Sequence, residues 1–170
     1  MPSFEVGDIL TADALNLGFD PPICRLVAAN GTQAMAHDAD VIITYVNGED
    51  MDATGMHDNV TNPGRITPNV PGIYVVSCTL FVVNRADYSW IQSGILKNGA
   101  ALAPHNRVGP NTNSAVRSVE VSGVEVAMNG ITDYLEHRGR QVNGAAAAST
   151  TNQSSQFSCR FEARYIRPLI

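Results

Sequence analysis

The longest run of hydrophobic residues lies near the middle of the chain, at residues 73–83 (IYVVSCTLFVV). Every side chain in it except Ser77 and Thr79 is aliphatic, aromatic or cysteine, and turn residues precede it at 62–64 (NPG) and 71–72 (PG). β-Branched and aromatic residues bounded by such turns predict a strand rather than a helix, in which the valines would lose side-chain freedom. Because both faces of this strand are apolar, we expect it to lie inside a sheet and to be covered on both sides.

Shorter segments with strand patterns lie on both sides of this run. Residues 116–128 alternate between apolar and polar positions, with Gly123 where a bulge would shift the alternation. Polar loops are expected at 49–62 and 143–156, and no long helix is predicted. The predicted strands and extended segments are 23–29, 41–46, 65–70, 73–83, 88–96, 100–104, 116–128, 131–142 and 156–166. Many short strands separated by turn residues predict an all-β fold, a sandwich or jelly roll.

Residues 1–22 differ from the rest and form a predicted N-terminal arm, followed by a single domain at residues 23–170. The arm is rich in apolar side chains although it is too short to have a core of its own, and two prolines at 21 and 22 stiffen its end. It could fold back on its own domain or dock on a partner, and both interpretations stay open. The apolar residues available for either contact are Phe4, Val6, Ile9, Leu10 and Leu15.

Charge and composition exclude some classes of partner. The chain has 170 residues and a formal net charge of −5, which argues against binding to nucleic acid or to anionic membranes. No apolar run approaches the roughly 20 residues that cross a bilayer, so no membrane insertion is expected. The first residues lack the layout of a signal peptide, which predicts synthesis in the cytoplasm. Cys24, Cys78 and Cys159 form no metal-binding pair, and we expect them to be buried free thiols.

The chain carries no motif that is typical of an active site. It has no GxSxG sequence, no histidine pair at metal-binding spacing and no phosphate-binding glycine loop. The acidic residues around His57 lack the spacing of a calcium-binding EF-hand and fit a solvated loop. Glu120, Glu125 and Glu136 could meet in space as a carboxylate pair, although each also fits the polar face of a strand. We therefore predict a protein that is not an enzyme and needs no cofactor or metal.

Several motifs, in this order, resemble the C1q/TNF-like jelly roll over about residues 23–168. They are Pro-Gly-Ile-Tyr at 71–74, Lys-Asn-Gly at 97–99 and GITDY at 130–134, the last departing from the family pattern by two inserted residues. The stretch GMHDNVTNPGRITPNVPGIY at 55–74 is similar to C1q-like domains of bacteriophage structural proteins. FEVGDILTADALN at 4–16 resembles the leader of phage tail and head-fibre proteins.

The resemblance implies a homotrimer in which one sheet of each protomer packs round a three-fold axis. One face of the long strand would then cover the interior and the other would contact neighbouring subunits, although a strand or loop of the same chain could also cover it. No calcium-binding motif of the family can be identified here. The strand residues concerned are Ile73, Tyr74, Val75, Val76, Leu80, Phe81 and Val82.

The phage-like features imply a virion protein whose arm docks on other virion proteins. A minor tail or tail-tip fibre position is the first expectation, with possible adhesion to a host-surface glycan. A capsid decoration or head-fibre protein is the alternative. A carbohydrate-binding, lectin-like module is a further alternative, in which Tyr88, Trp90 or Tyr45 would stack on a sugar, although a lone tryptophan is more often a core residue.

Overall fold

The computed structural model of the chain describes residues 20–28, 32–83, 87–102, 105–110, 116–151 and 158–169. Within these ranges the chain forms fourteen β-strands and no helix, so the predicted all-β class is confirmed. The strands are β1 (Ile23–Val27), β2 (Ala34–Met35), β3 (Val41–Ile42), β4 (Glu49–Asp52), β5 (His57–Asp58), β6 (Asn62–Ile66), β7 (Gly72–Val83), β8 (Tyr88–Lys97), β9 (Ala100–Ala101), β10 (Asn106–Val108), β11 (Val116–Met128), β12 (Leu135–Asn143), β13 (Ser149–Thr151) and β14 (Arg160–Arg167).

The strands form two antiparallel sheets that pack face to face. The first, which we call the β7 sheet, has the order β4-β1-β14-β7-β11, and β13 and β2 extend it beside the end of β7. The second, the β12 sheet, has the order β10-β8-β12-β6-β5, with β3 beside β12 and β9 beside β8. Strand β7 has β11 along one edge and β14 and β13 along the other, so the prediction that it lies inside a sheet is confirmed.

Side chains of β7 alternate strictly between the core and the opposite side of the sheet. Tyr74, Val76, Cys78, Leu80 and Val82 are buried between the two sheets, and the residues between them are only partly buried. The turn before the strand needs glycine, because a Cβ at position 72 would lie 2.8 Å from the carbonyl oxygen of Arg167 and against the Tyr165 ring. The Pro-Gly-Ile-Tyr sequence therefore starts a strand whose first residue, Gly72, packs tightly on β14.

The bulge that the sequence predicts at Gly123 is present. The pairing of β11 with β7 shifts between Val121 and Val124, and Gly123 has a φ of +72°. Because the shift keeps the valines on the core side before and after the bulge, Val119, Val121, Val124 and Val126 are all buried.

Four predictions about secondary structure were wrong. Residues 131–134 form a loop instead of the start of a strand, because Asn129 accepts three backbone N–H groups there and holds the chain out of the sheet. The polar segment 49–62 contains β4 and β5, and segment 143–156 contains β13. The strand predicted at 41–46 ends at Ile42, and Tyr45 instead bonds through its backbone N–H to the carbonyl of Pro63.

Candidate functional site

The outer side of the β7 sheet is an unusual surface for a protein to expose to water. Its centre is the second set of β7 side chains, Ile73, Val75, Ser77, Thr79, Phe81 and Val83, all only partly buried in the single chain. We call this surface, together with the outward side chains of β14 and β11 on either side, the β7 face. Four of its six central positions are apolar, whereas the outward face of a solvated antiparallel strand is usually polar.

Charged side chains follow the two strands beside β7, with opposite signs. On β14, Arg160 and Arg164 point outwards and are exposed, opposite Thr79 and Val75 respectively. On β11, Glu120 and Glu125 are exposed opposite the same two β7 residues. The β7 face therefore has an arginine row on one side of its apolar centre and a glutamate row on the other.

The two rows have few ionic contacts within the chain. Glu125 forms an ion pair with Arg167 at 3.6 Å, and both side chains stay about half exposed. Across the described ranges, no ion pair involves Arg160, Arg164 or Glu120. The arginine row is not uniform, since Glu162 lies between the two arginines and opposite Arg25.

A chain of polar side chains crosses the core between the two sheets. The hydroxyl of Tyr45 lies 2.6 Å from Nδ1 of His137, and Nε2 of His137 lies 2.9 Å from Oγ of Ser93. Oγ of Ser93 in turn lies 3.2 Å from Sγ of Cys78. Phe161 packs against both rings, with centroids 6.2 Å from Tyr45 and 5.9 Å from His137.

The protonation states of this polar chain follow from its burial. Burial lowers the pKa of His137 to about 3 and raises the pKa of Tyr45 well above its ordinary value, so both are neutral. Tyr45 has no other acceptor among the described residues, so its hydroxyl donates to Nδ1 of His137 and Nε2–H donates to Ser93. The serine and histidine have the spacing of a nucleophile and its base, but both are fully buried. A substrate has no route to them in this conformation, and we assign the group a structural role.

The aromatic residues proposed for sugar binding lie in different environments. Tyr45 is fully buried and Tyr88 is 2% exposed, with its hydroxyl bonded to the carbonyl of Val83 and to Ser149. Neither can stack on a sugar in this conformation, so the glycan contact predicted for Tyr88 conflicts with its burial. Trp90 is partly exposed, but the guanidinium of Arg107 lies 4.1 Å from its ring centroid and would compete with a sugar.

The acidic segment around His57 is held together by internal hydrogen bonds. Nδ1 of His57 lies 2.8 Å from Oε1 of Glu49, and the carboxylate of Asp52 accepts the backbone N–H groups of Met56 and His57. Backbone N–H groups of Thr61 and Val60 lower the pKa of Asp58 in the next turn. In the part of the chain that the structure describes, no group of three or more metal-binding side chains occurs.

The three candidate carboxylates are divided between the two sheets. Glu120 and Glu125 lie on the β7 face, whereas Glu136 lies on β12 and accepts a hydrogen bond from Nε of Arg65 at 2.9 Å. This arrangement is that of polar strand faces, the second of the two interpretations that the sequence allowed.

The loop between β11 and β12 is a tightly hydrogen-bonded element that sequence reasoning missed. The side chain of Asp133 accepts hydrogen bonds from Asn98 and from the backbone of Asn129, and pairs with Lys97 at 2.8 Å. Burial acts to raise the pKa of Asp133, but the bonds from Lys97 and Asn98 outweigh it and lower the pKa. The loop joins the Lys-Asn-Gly turn to the end of β11, and the clue in the sequence was an asparagine followed by Gly130.

The cysteine prediction is confirmed. Cys24, Cys78 and Cys159 are free and buried. Burial raises the pKa of all three thiols, to about 11 for Cys78 and about 12 for Cys159. Thiols with such pKa values hold almost no thiolate at neutral pH and have no catalytic or metal-binding character.

The predicted arm falls largely outside the described residues. Phe4, Val6, Ile9, Leu10 and Leu15 all belong to the undescribed part. A search of the described residues for a helix long and apolar enough to span a membrane found none.

Comparison with solved structures identifies the fold. The chain is similar to murine APRIL, with a TM-score of 0.59, 7% sequence identity and coverage of 85% of this chain and 99% of that one. It is also similar to the PRD1 vertex protein P5, a phage protein, with a TM-score of 0.59, 13% identity and coverage of 86% and 74%. For Eiger TNF from S. frugiperda the TM-score is 0.55, the identity 11% and the coverage 88% and 96%.

These similarities establish the TNF/C1q-like jelly roll as the fold of this chain, as its motifs predicted. No protein-family model matches the sequence, and a search of curated proteins found no match. At such low identity the solved structures define the architecture and leave function to be argued from this chain's own residues.

Proposed function

We propose that this protein is a non-enzymatic structural component of a bacteriophage virion and that it assembles as a homotrimer through the β7 face. The observation that carries the proposal is the apolar centre of that face, which stays partly exposed in the single chain. The TNF/C1q-like fold and its resemblance to trimeric jelly rolls support three copies as the occupants. The arm at residues 1–22 then anchors the trimer to other virion proteins.

The trimer can be tested with two matched substitutions. Val75 and Val142 are both partly buried valines on outward strand faces, the first at the centre of the β7 face and the second on the β12 sheet. Val75→Glu places a charge in the proposed interface and should give monomers, whereas Val142→Glu should leave the trimer intact. Light scattering after size exclusion gives the mass, and circular dichroism checks that both variants fold. Trimers of Val75→Glu as stable as those of the Val142→Glu control would contradict the proposal.

The virion role is supported by the resemblance of residues 4–16 and 55–74 to phage proteins and by the structural similarity to a phage vertex protein. A tail or tail-tip position follows from the leader-like arm. A capsid position is the second candidate, favoured by the structural similarity to a PRD1 protein that is named as a vertex protein. Gold-labelled antibodies against this protein, applied to particles of the phage that encodes it, distinguish the two by where the label lies, and absence of label from all particles would contradict both.

The anchoring role of the arm is tested separately. A chain that lacks residues 1–20 should still form the trimer, because the β7 face belongs to the domain, but it should be lost from purified particles. Incorporation of the shortened chain at the level of the full chain would show that residues 1–20 are not the anchor.

Adhesion to a host-surface glycan stays a prediction that depends on Trp90. A glycan array with the intact protein should show binding that Trp90→Ala abolishes, and Ser89→Ala serves as the control on the same exposed strand end. Binding that Trp90→Ala leaves unchanged would contradict this part of the proposal.

A further inference from the structure

The β7 face carries an arginine row on β14 and a glutamate row on β11. We propose that the arginine row of one protomer, on β14, binds the glutamate row of the next protomer, on β11. This inference rests on the proposed homotrimer and adds to it the side chains that choose the partner surface and its orientation.

The positions of the rows carry the argument. Arg160 and Glu120 lie opposite the same β7 residue, Thr79, and Arg164 and Glu125 lie opposite Val75. Neighbouring strands are about 4.8 Å apart, so the two rows lie about 10 Å from each other with β7 between them. Glu125 spans this distance to Arg167 of β14, at 3.6 Å, whereas Arg160, Arg164 and Glu120 form no ion pair among the described residues and present their charges outwards.

The exposed state of these charges favours an external partner. Arg160, Arg164 and Glu120 are exposed and take part in none of the ion pairs of the described residues. Other exposed arginines do find carboxylates in the single chain, for example Arg25 with Asp50 at 2.6 Å. The face that carries the partly exposed apolar strand therefore also carries three charged side chains without an ion pair among the described residues, while Glu125 is paired with Arg167.

Complementary rows restrict how two copies can meet. A contact that sets an arginine row against an arginine row places like charges together and is disfavoured. A contact from the β14 side of one protomer to the β11 side of the next instead pairs an arginine row with a glutamate row. In a ring of three, each protomer offers its β14 side to one neighbour and its β11 side to the other, so all three contacts are satisfied at once. The same charges keep other apolar surfaces from docking there.

Charge reversal in the intact protein tests this pairing. Glu120→Arg and Arg160→Glu each place like charges in every contact, and each should raise the concentration at which half of the chains are trimeric by about tenfold or more. The double variant restores opposite charges and should return to within about threefold of the original concentration. Ser89→Arg, on the other sheet, controls for a change in net charge and should have no effect.

Mixing the two single variants separates contacts between chains from effects within one chain. A ring containing both variants includes a contact in which the reversed charges face each other with opposite signs. Mixed trimers should therefore exceed the share expected from random association when equal amounts of differently tagged chains are refolded together. An effect confined to one chain gives no preference for mixed trimers. Higher ionic strength should weaken the original trimer, because partly exposed pairs are screened.

The outcomes distinguish this inference from the proposal on which it rests. A protein that is monomeric without any substitution overturns the trimer itself. A trimer that both single reversals leave unchanged, or a double variant that does not recover, overturns only the pairing of the rows. Recovery in the double variant, together with mixed trimers in excess of random association, supports it.

Discussion

The buried histidine makes the stability of this protein depend on pH. His137 is fully buried between Tyr45 and Ser93, and burial alone lowers its pKa. Protonating it in place would also remove the acceptor that the Tyr45 hydroxyl uses. Acid should therefore shift the equilibrium towards the unfolded chain, in which this side chain can bind a proton.

The magnitude follows from the two pKa values. Burial lowers the pKa of His137 from 6.5 to about 3, so between these values the unfolded chain binds a proton that the folded chain does not. The stability that neutral His137 provides is complete above the unfolded value and is lost as the pH falls. The free energy of unfolding should decrease by about 2 kcal/mol from about pH 7 to about pH 5, and by about 4 kcal/mol at about pH 3. Domains are stable by only about 5–15 kcal/mol, so this loss is easily measured.

Between about pH 7 and about pH 5, the effect of His137 on the free energy of unfolding is separated from the effects of the carboxylates. Asp58 and Asp133 both have pKa values below the ordinary 3.8, so their contributions are lost only in stronger acid. Urea unfolding at about pH 7, 6 and 5, followed by circular dichroism at one chain concentration, gives the slope. His137→Gln is the matched control because glutamine can hydrogen-bond but does not titrate in this range.

The variant should be less stable than the original at about pH 7, by about 1–3 kcal/mol for the disturbed hydrogen bonds, yet its stability should change less with pH. Equal slopes for the two proteins would refute the reasoning. A direct check that does not need the variant is the NMR titration of the His137 ring, which should stay neutral at about pH 5 in the folded protein. A ring that becomes charged near its ordinary pKa while the protein stays folded would refute it as well.

Three further predictions concern the core and the turns. The thiols of the cysteines should react with a thiol reagent only after unfolding, because burial raises their pKa values, and reaction of the native protein at neutral pH would contradict this. Gly130→Ala should destabilise the protein more than Gly123→Ala in thermal melts: both have positive φ, but only at Gly130 would a Cβ meet backbone, 2.5 Å from N of Pro71. We expect a loss of about 1 kcal/mol at Gly123 and clearly more at Gly130, and equal losses would count against this close approach of Gly130 to Pro71. Asn129→Ala should cost about 1–2 kcal/mol by freeing three N–H groups of the loop, and an unchanged melting temperature would contradict that role.

Much of the fold could be predicted from the sequence because local patterns determine the long strands. The run at 73–83 and the alternation at 116–128 correspond closely to β7 and β11, and the bulge at Gly123 lies where the apolar alternation shifts. The motifs around Pro71-Gly72 and Lys97-Asn98-Gly99 predicted the jelly roll that the solved structures confirm. The short strands β4, β5 and β13 were missed because they have only four, two and three residues and carry mostly polar side chains with no periodic pattern.

The candidate site depended on strand order, which no local pattern determines. Arg160, Arg164, Glu120 and Glu125 are each visible in the sequence as polar positions of alternating strands. Only the order β14-β7-β11 places the arginines and glutamates on opposite sides of one apolar strand. The polar chain from Tyr45 to Cys78 was missed for the same reason, because its members come from both sheets. Burial also removed Tyr88 from the candidate sugar contacts, which its position beside Trp90 in the sequence had suggested.

The mass of the intact protein in solution tests the central claim most directly. Sedimentation equilibrium of the full chain, over a range of concentrations at moderate ionic strength, should give three times the mass of one chain, falling towards a single chain only on dilution or at high salt. A single-chain mass at every concentration would contradict the account, because no second copy would then cover the partly exposed apolar centre of the β7 face.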